Sequence, residues 1–335
     1  MRRPGPGELS RARLRALRRL AATAFALVLA AAGPAFAQDW APSRTVRIVV
    51  PIVGSTNDVI ARLVAPELQK ALGQAVVVEN KGGGGGTIGA NEVAKAPPDG
   101  HTLLVGFNGP LAINPTLFAK MPYDAMKDLA PITLAVSTPQ YLAVHPAVPA
   151  KDVKELVALS KQRKMNYASV STGSASHLTM EMLKAASGME ITHIPYKGAA
   201  PAVVDLLGGQ VDAAFLVPGN IAQFVQEGKA KVIATSGLRR FRGSPEVPTL
   251  IEQGYPGFVA VSWIGFLAPG GTPRPVIDRY NREIVRILRT PEIAQQLEKM
   301  EFEIVAGTPE QFSGWIAAEI PRWGKIIRDN HIKAE

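Results

Sequence analysis

The stretch from Asn166 to Gly188, NYASVSTGSASHLTMEMLKAASG, reads as a buried strand, a loop of small polar residues and a helix, and the rest of the chain can be placed around it. Tyr167, Ala168 and Val170 suit a strand, while Ser171, Thr172, Gly173, Ser174 and Ser176 fall where a helix should begin. Leu178, Met182, Ala185 and Met189 recur at a helical period, and Gly188 supplies the stop. The first turn of such a helix carries N–H groups without intrahelical partners at the positive end of the macrodipole, and small side chains leave the approach open. That makes a cradle for an anion. Ser174 or Ser176 can equally be a plain N-cap, and the residues alone leave both readings open.

The same strand, loop and helix unit recurs from Thr45 onward, which predicts an α/β fold with largely parallel sheets. Val46 to Val50 is a strand that runs through PIVGSTND, residues 51–58, into a helix capped by Asn57 or Asp58 and kinked or interrupted at Pro66. Val76 to Glu79 is a second strand, followed by five glycines, Gly82 to Gly86. That run lacks the Gly-Lys-Ser/Thr of a phosphate loop and the spacing of a dinucleotide fingerprint, so it reads as a flexible connection into a helix at Ala90 to Ala96. Thr102 to Phe107 is another strand, with Asn108 at its carboxyl end. Ile132 to Val136 and Tyr141 to Val144 form an extended pair around Pro139, where the chain crosses into a second domain, and Val259 to Ala268 is the return. Between the crossings lie a helix at Val153 to Gln162, strands at Ile191 to Pro195, Val211 to Val217 and Lys231 to Thr235, and a helix at Ala199 to Leu207. After the return come helices at Val276 to Leu288, Pro291 to Met300 and Pro309 to Asp329.

The formal charge of +9 suggests a nucleic-acid partner until it is located. Seven arginines against Glu8 place +6 of it in residues 1–37 and leave +3 for the rest. That segment has a basic start, an apolar run from Leu20 to Ala32 and Ala35-Phe36-Ala37 as a cleavage site, the pattern of a secretory signal peptide, so the mature chain should begin at Gln38 in the periplasm. With no cysteine there are no disulfides and no thiolate metal ligands.

Four ordered blocks carry a family resemblance: Val76 to Gly106, Tyr167 to Leu178, IPYKGAAPAVVDLLGGQVD at 194–212, and VSWIGFLAPGGTP at 261–273 after EVPTLIEQGYPG. The chain resembles the Bug-type (TctC-like) solute receptors of tripartite tricarboxylate transporters over essentially its whole mature length. The resemblance implies a type II periplasmic-binding-protein fold, with residues 38–138 and 261–335 as one lobe and 139–260 as the other. It implies capture of a small organic carboxylate and delivery to the membrane subunits of a transporter, by a monomer with no cofactor, no metal and no nucleic-acid partner. Carried over residue by residue, Gly54, Ser55 and Asp58 would form one wall of a cleft and Ser171, Gly173, Ser174 and Ser176 the other, with Asn108, Lys197 and Asp212 at its rim or floor. The family's PFxxGGxxD loop is here PIVGSTND, one residue shorter, with Ile52 for the aromatic and Ser55 for the second glycine.

Two rival functions need different residues. A hydrolase needs a nucleophile with a base, but there is no G-x-S-x-G or H-E-x-x-H, and His177 beside Ser174 and Ser176 reads as a capping or packing residue. A receptor that presents its ligand to a membrane sensor would use the same binding chemistry as a transport receptor.

Overall fold

A computed structural model describes residues 40–52 and 55–333. The signal peptide expected at 1–37, the expected new N-terminus Gln38 and the candidate Gly54 lie outside the described residues.

The first half opens with β1 (Val46–Val50), α1 (Thr56–Leu72), β2 (Val76–Asn80), α2 (Thr87–Ala94), β3 (Thr102–Phe107) and, after a wide helical turn at Gly109–Ile113, α3 (Asn114–Leu117). There follow β4 (Leu129–Pro139), β5 (Tyr141–Val144), α4 (Val153–Ser160), β6 (Asn166–Ser169), α5 (Ala175–Ser187), β7 (Thr192–Pro195) and α6 (Ala199–Leu207). The chain continues through β8 (Ala213–Leu216), α7 (Ala222–Gln226), β9 (Lys231–Thr235) and β10 (Val261–Pro269). It ends with α8 (Arg274–Leu288), α9 (Pro291–Lys299), β11 (Glu303–Ile304) and α10 (Pro309–Asp329).

Two sheets result, ordered β11-β4-β10-β3-β1-β2 and β7-β6-β8-β5-β9. The first takes strands from both ends of the chain and the second takes all of its strands from the middle. Both are mixed, which corrects the expectation of largely parallel sheets. β1 is parallel to β2 and β3, and β6 to β7 and β8, because helical crossovers join those strands. The segments that connect the sheets run the other way: β10 is antiparallel to β3 and β4, and β5 to β8 and β9. β4 and β5 are therefore not partners of each other but members of different sheets, with Gln140 as the single residue between them. From Ala41 onward the fold packs as one unit, and one apolar core joins residues of both sheets, including Leu104, Leu134 and Trp263 with Tyr167, Leu178 and Phe215.

Three local readings change. α1 runs unbroken through Pro66, whose ring is on the exposed face, while Ile60, Ala61, Val64, Leu68 and Leu72 bury the other face and outweigh the lost hydrogen bond. Its cap residue is Ser55, with Asn57 and Asp58 inside the first turn. The glycine run is a held turn: Gly83, Gly84, Gly85 and Gly86 all have positive φ, Asn114 Nδ2 donates to Gly85 O (3.2 Å) and Thr87 Oγ1 (2.9 Å), and a Cβ on Gly86 would sit 2.9 Å from the Phe107 ring. Only glycine fits four such positions in a row.

Candidate functional site

The loop between β6 and α5 is built by its own hydrogen bonds. Ser174 is the N-cap of α5, its Oγ accepting from His177 N (3.3 Å). Ser174 Oγ also lies 2.6 Å from Ser171 O and 2.9 Å from Ser176 Oγ, and Val170 N donates to Ser176 Oγ (3.0 Å). A carbonyl only accepts, so the Ser174 proton goes to Ser171 O and the Ser176 proton must go to Ser174 Oγ. Both hydroxyl protons are thus spent inside the loop. The cap reading holds, and the hydroxyls shape the turn.

The backbone donors divide in the same way. Gly173 N donates to His177 Nδ1 (3.0 Å) and Ser174 N to Ser171 O (3.1 Å). His177 N is taken by the cap, which leaves Ala175 N and Ser176 N as the first-turn donors with no partner among the described residues. Thr172 Oγ1 in the same loop is buried and also has none. Gly173 has φ +72°, and a Cβ there would lie 2.0 Å from Leu117 Cδ2, so the end of α3 in the first sheet's half closes onto this loop.

His177 supports the loop from beneath. Its ring stacks on His193 at 3.9 Å, and His193 on Tyr167 at 4.9 Å. Burial, with the nearby charges of His193 and Lys184, pushes the His177 imidazole down to about 3, so it is neutral and Nδ1 can accept the Gly173 N–H. Tyr167 donates to Glu181 Oε1 (2.7 Å), which also takes Lys184 Nζ (2.7 Å). The Ser–His pair in this region is Ser169 Oγ with His193 Nε2 (2.7 Å), and Ser169 Oγ also lies 3.0 Å from Ser171 O.

The other candidates separate. Ser55 caps α1 and donates its Oγ proton to Ile52 O (3.0 Å). Asp58 turns toward its own helix and β2: Arg62 Nε reaches Oδ2 at 3.1 Å and Asn80 Nδ2 reaches Oδ1 at 2.9 Å. Burial favours its neutral form, but those two hydrogen bonds outweigh burial and hold the carboxyl below its usual range. Asn57 is buried with an unpartnered Nδ2. Asn108 spends both ends of its amide on β10, donating to Val261 O (3.1 Å) and accepting from Trp263 N (3.1 Å). Lys197 is exposed beside Gly198, whose N donates to Val170 O (2.8 Å) at the edge of the cradle loop. Asp212 sits elsewhere than the expected rim or floor. Its carboxylate binds Arg163 Nη2 (2.7 Å) and Asn166 N (2.8 Å) at the start of β6, the end away from Ser171.

The structure thus brings Ser171, Gly173, Ser174 and Ser176 into one turn with Lys197 beside it. It adds Leu117 and His193, which sequence reasoning missed. The left-handed glycine in Ser-Thr-Gly-Ser was the available signal for a close neighbour, and nothing local pointed to Leu117, 56 positions away. A shallow depression lined by Gln69, Lys70, Gly73, Gln74 and Ala75 lies at the opposite end of α1 from Ser55.

The model of the tripartite tricarboxylate transporter family receptor matches residues 60–332. The chain belongs to that family. Among solved structures, the periplasmic binding protein BugD is similar at 35% identity and TM-score 0.78, covering 88% of this chain and 100% of that one. A protein of R. palustris solved with adipate is 33% identical with TM-score 0.81, covering 88% of this chain and 99% of its own. MatC from Rhodopseudomonas palustris, with bound malate, is 34% identical with TM-score 0.78, covering 85% and 99%. The fold is that of these receptors, two mixed α/β sheets flanked by helices. Among the described residues no helix is long and apolar enough to cross a membrane.

Proposed function

We propose that this receptor is an extracytoplasmic, periplasmic solute-binding protein that captures a small organic dicarboxylate, releases it unchanged, and delivers it to the membrane subunits of a tripartite tricarboxylate-type transporter. The observation that carries this is the pair of unengaged N–H groups of Ala175 and Ser176 at the head of a 13-residue helix, beside a Gly173 N–H and a Ser174 hydroxyl proton that are already committed. Oriented N–H groups at the positive end of a helix bind a carboxylate at no cost in reorganisation. In this reading Gly54 and Ser55 face the cradle across the cleft, Lys197 draws the anion in from solvent, and Asn108 and Asp58 hold the walls in place. Two relatives with bound adipate and malate favour an acid with a carboxylate at each end. The leader at 1–37 supports export.

A thermal-shift panel of small carboxylates tests it. A ligand that binds only the folded state raises the melting temperature by mass action, and malate or adipate should do so where their mono-esters do not. No shift with any dicarboxylate would overturn the proposal. Small-angle scattering should show compaction at saturating ligand as 38–138 with 261–335 closes on 139–260. Capture of the transporter subunits from membranes, dependent on ligand, would test the delivery step.

A further inference from the structure

Gln140 is the lone residue between the two sheets on the outward crossing, and it is fully buried. Its backbone forms a reciprocal pair with Ser236: Gln140 N donates to Ser236 Oγ (2.9 Å) and Ser236 N to Gln140 O (2.9 Å). Ser236 directly follows β9, the last strand of the second sheet. It continues to the return crossing, its Oγ donating to Ala260 O (2.5 Å) and Ala260 N donating to Ser236 O (2.9 Å) just before β10. Both crossings are therefore tied together at one level of the molecule.

The Gln140 side chain leaves this knot for α5. Its Nε2 donates to Thr179 Oγ1 (2.7 Å) and more weakly to Ala175 O (3.4 Å), and Thr179 Oγ1 in turn donates to Ala175 O (2.7 Å). Thr179 is fully buried. The carbonyl at the centre of this arrangement belongs to Ala175, whose N–H is one of the two free donors. Burial in a medium of low polarity gives such a chain of bonds a fixed geometry.

We infer that Gln140 is a positioning residue for ligand binding, which anchors the head of α5 to the crossings so that the cradle moves with the hinge and not only with its own sheet. This rests on the binding reading above and deepens it: closure and the placement of the Ala175 and Ser176 donors become one motion. Loosening the tie lets the head of the helix lag behind the closing lobes, and a bound acid escapes sooner.

The test uses the exported chain with spin labels at Lys120→Cys and Gln162→Cys, exposed positions in the two halves of a protein that has no cysteine of its own. Without ligand, Gln140→Met, which keeps the volume and removes the donor, should broaden the label-to-label distance distribution. Thr179→Val should broaden it equally, and Thr179→Ser, which keeps the hydroxyl, should match the parent. With malate or adipate as probe, Gln140→Met should weaken binding about three- to tenfold through faster dissociation, with association unchanged. If Gln140→Met does not fold, Thr179→Val decides, since Thr179 lies outside the knot of Gln140, Ser236 and Ala260. Distances at parental width in whichever variant folds overturn the inference. If the parent binds neither acid while the distances respond as expected, the tie stands and the binding reading is what fails.

Discussion

Replacing Gly173 by alanine should act on the cradle through two separable costs. The residue has φ +72°, where a side chain costs about 1–2 kcal/mol. The new Cβ would also lie 2.0 Å from Leu117 Cδ2, so Leu117 must leave its place, an overpacking penalty of about 1–3 kcal/mol. Gly173→Ala alone should then destabilise by roughly 2–5 kcal/mol. Leu117→Ala alone, at a site 8% exposed, should cost about 2–5 kcal/mol for the lost burial. The double variant should cost less than the two together by about 1–3 kcal/mol, because the overlap is gone while the backbone term remains. Urea unfolding of the four proteins gives these values, and calorimetry with malate or adipate on the same samples should show binding partly restored in the double variant. Additivity within about 0.5 kcal/mol would refute the claim that Leu117 closes on Gly173.

Ser174→Glu puts a negative charge at the head of α5 and should abolish binding of a dicarboxylate while circular dichroism shows the fold intact; normal affinity by calorimetry would count against the cradle. Lys197→Met should weaken binding modestly and flatten its dependence on salt, because an exposed cation acts at a distance that ions screen. His177 titrates near 6.5 when unfolded and near 3 when folded, so the unfolded chain takes up the proton first. The stability owed to neutral His177 is complete above pH 6.5 and is lost as pH falls from there toward 3, by up to about 1.4 kcal/mol per pH unit. Unfolding free energies measured from pH 7 to 4 should fall less steeply in His177→Gln, which keeps an acceptor for Gly173 N, and equal slopes would remove His177 from this role.

How much of this was legible in the chain depends on the range of the interaction. Periodicity placed β1, β3, α5 and α8 to within a few residues, because their apolar faces repeat along the chain and the core they build is continuous. Direction was not legible. β4, β5 and β10 look like any other apolar run, and their antiparallel pairing follows from where the crossings take the chain, which no local pattern encodes. Pro66 shows local propensity losing to burial, and the glycine run shows the opposite error, flexibility inferred where Asn114 and Phe107 hold the backbone from 20 or more positions away.

At the site the same division decides what a side chain is free to do. Ser174 or Ser176 was the expected cap, and Ser174 is it, but whether its hydroxyl remains available depends on proton counting that needs Ser171 O and Val170 N in space. Asp58 and Asp212 stand in motifs that suggest a polar wall, yet their carboxylates are drawn to Asn80 across the β1–β2 pairing and to Arg163 just ahead of β6. Asn108 is absorbed by β10, more than 150 positions later. Each polar side chain that finds such a partner stiffens the loops, and in the binding mode proposed above the ligand is left to the backbone. In that mode discrimination rests on the position of the N–H groups, so Gln140 and Thr179, invisible as binding residues in the sequence, would act on affinity through the helix they hold.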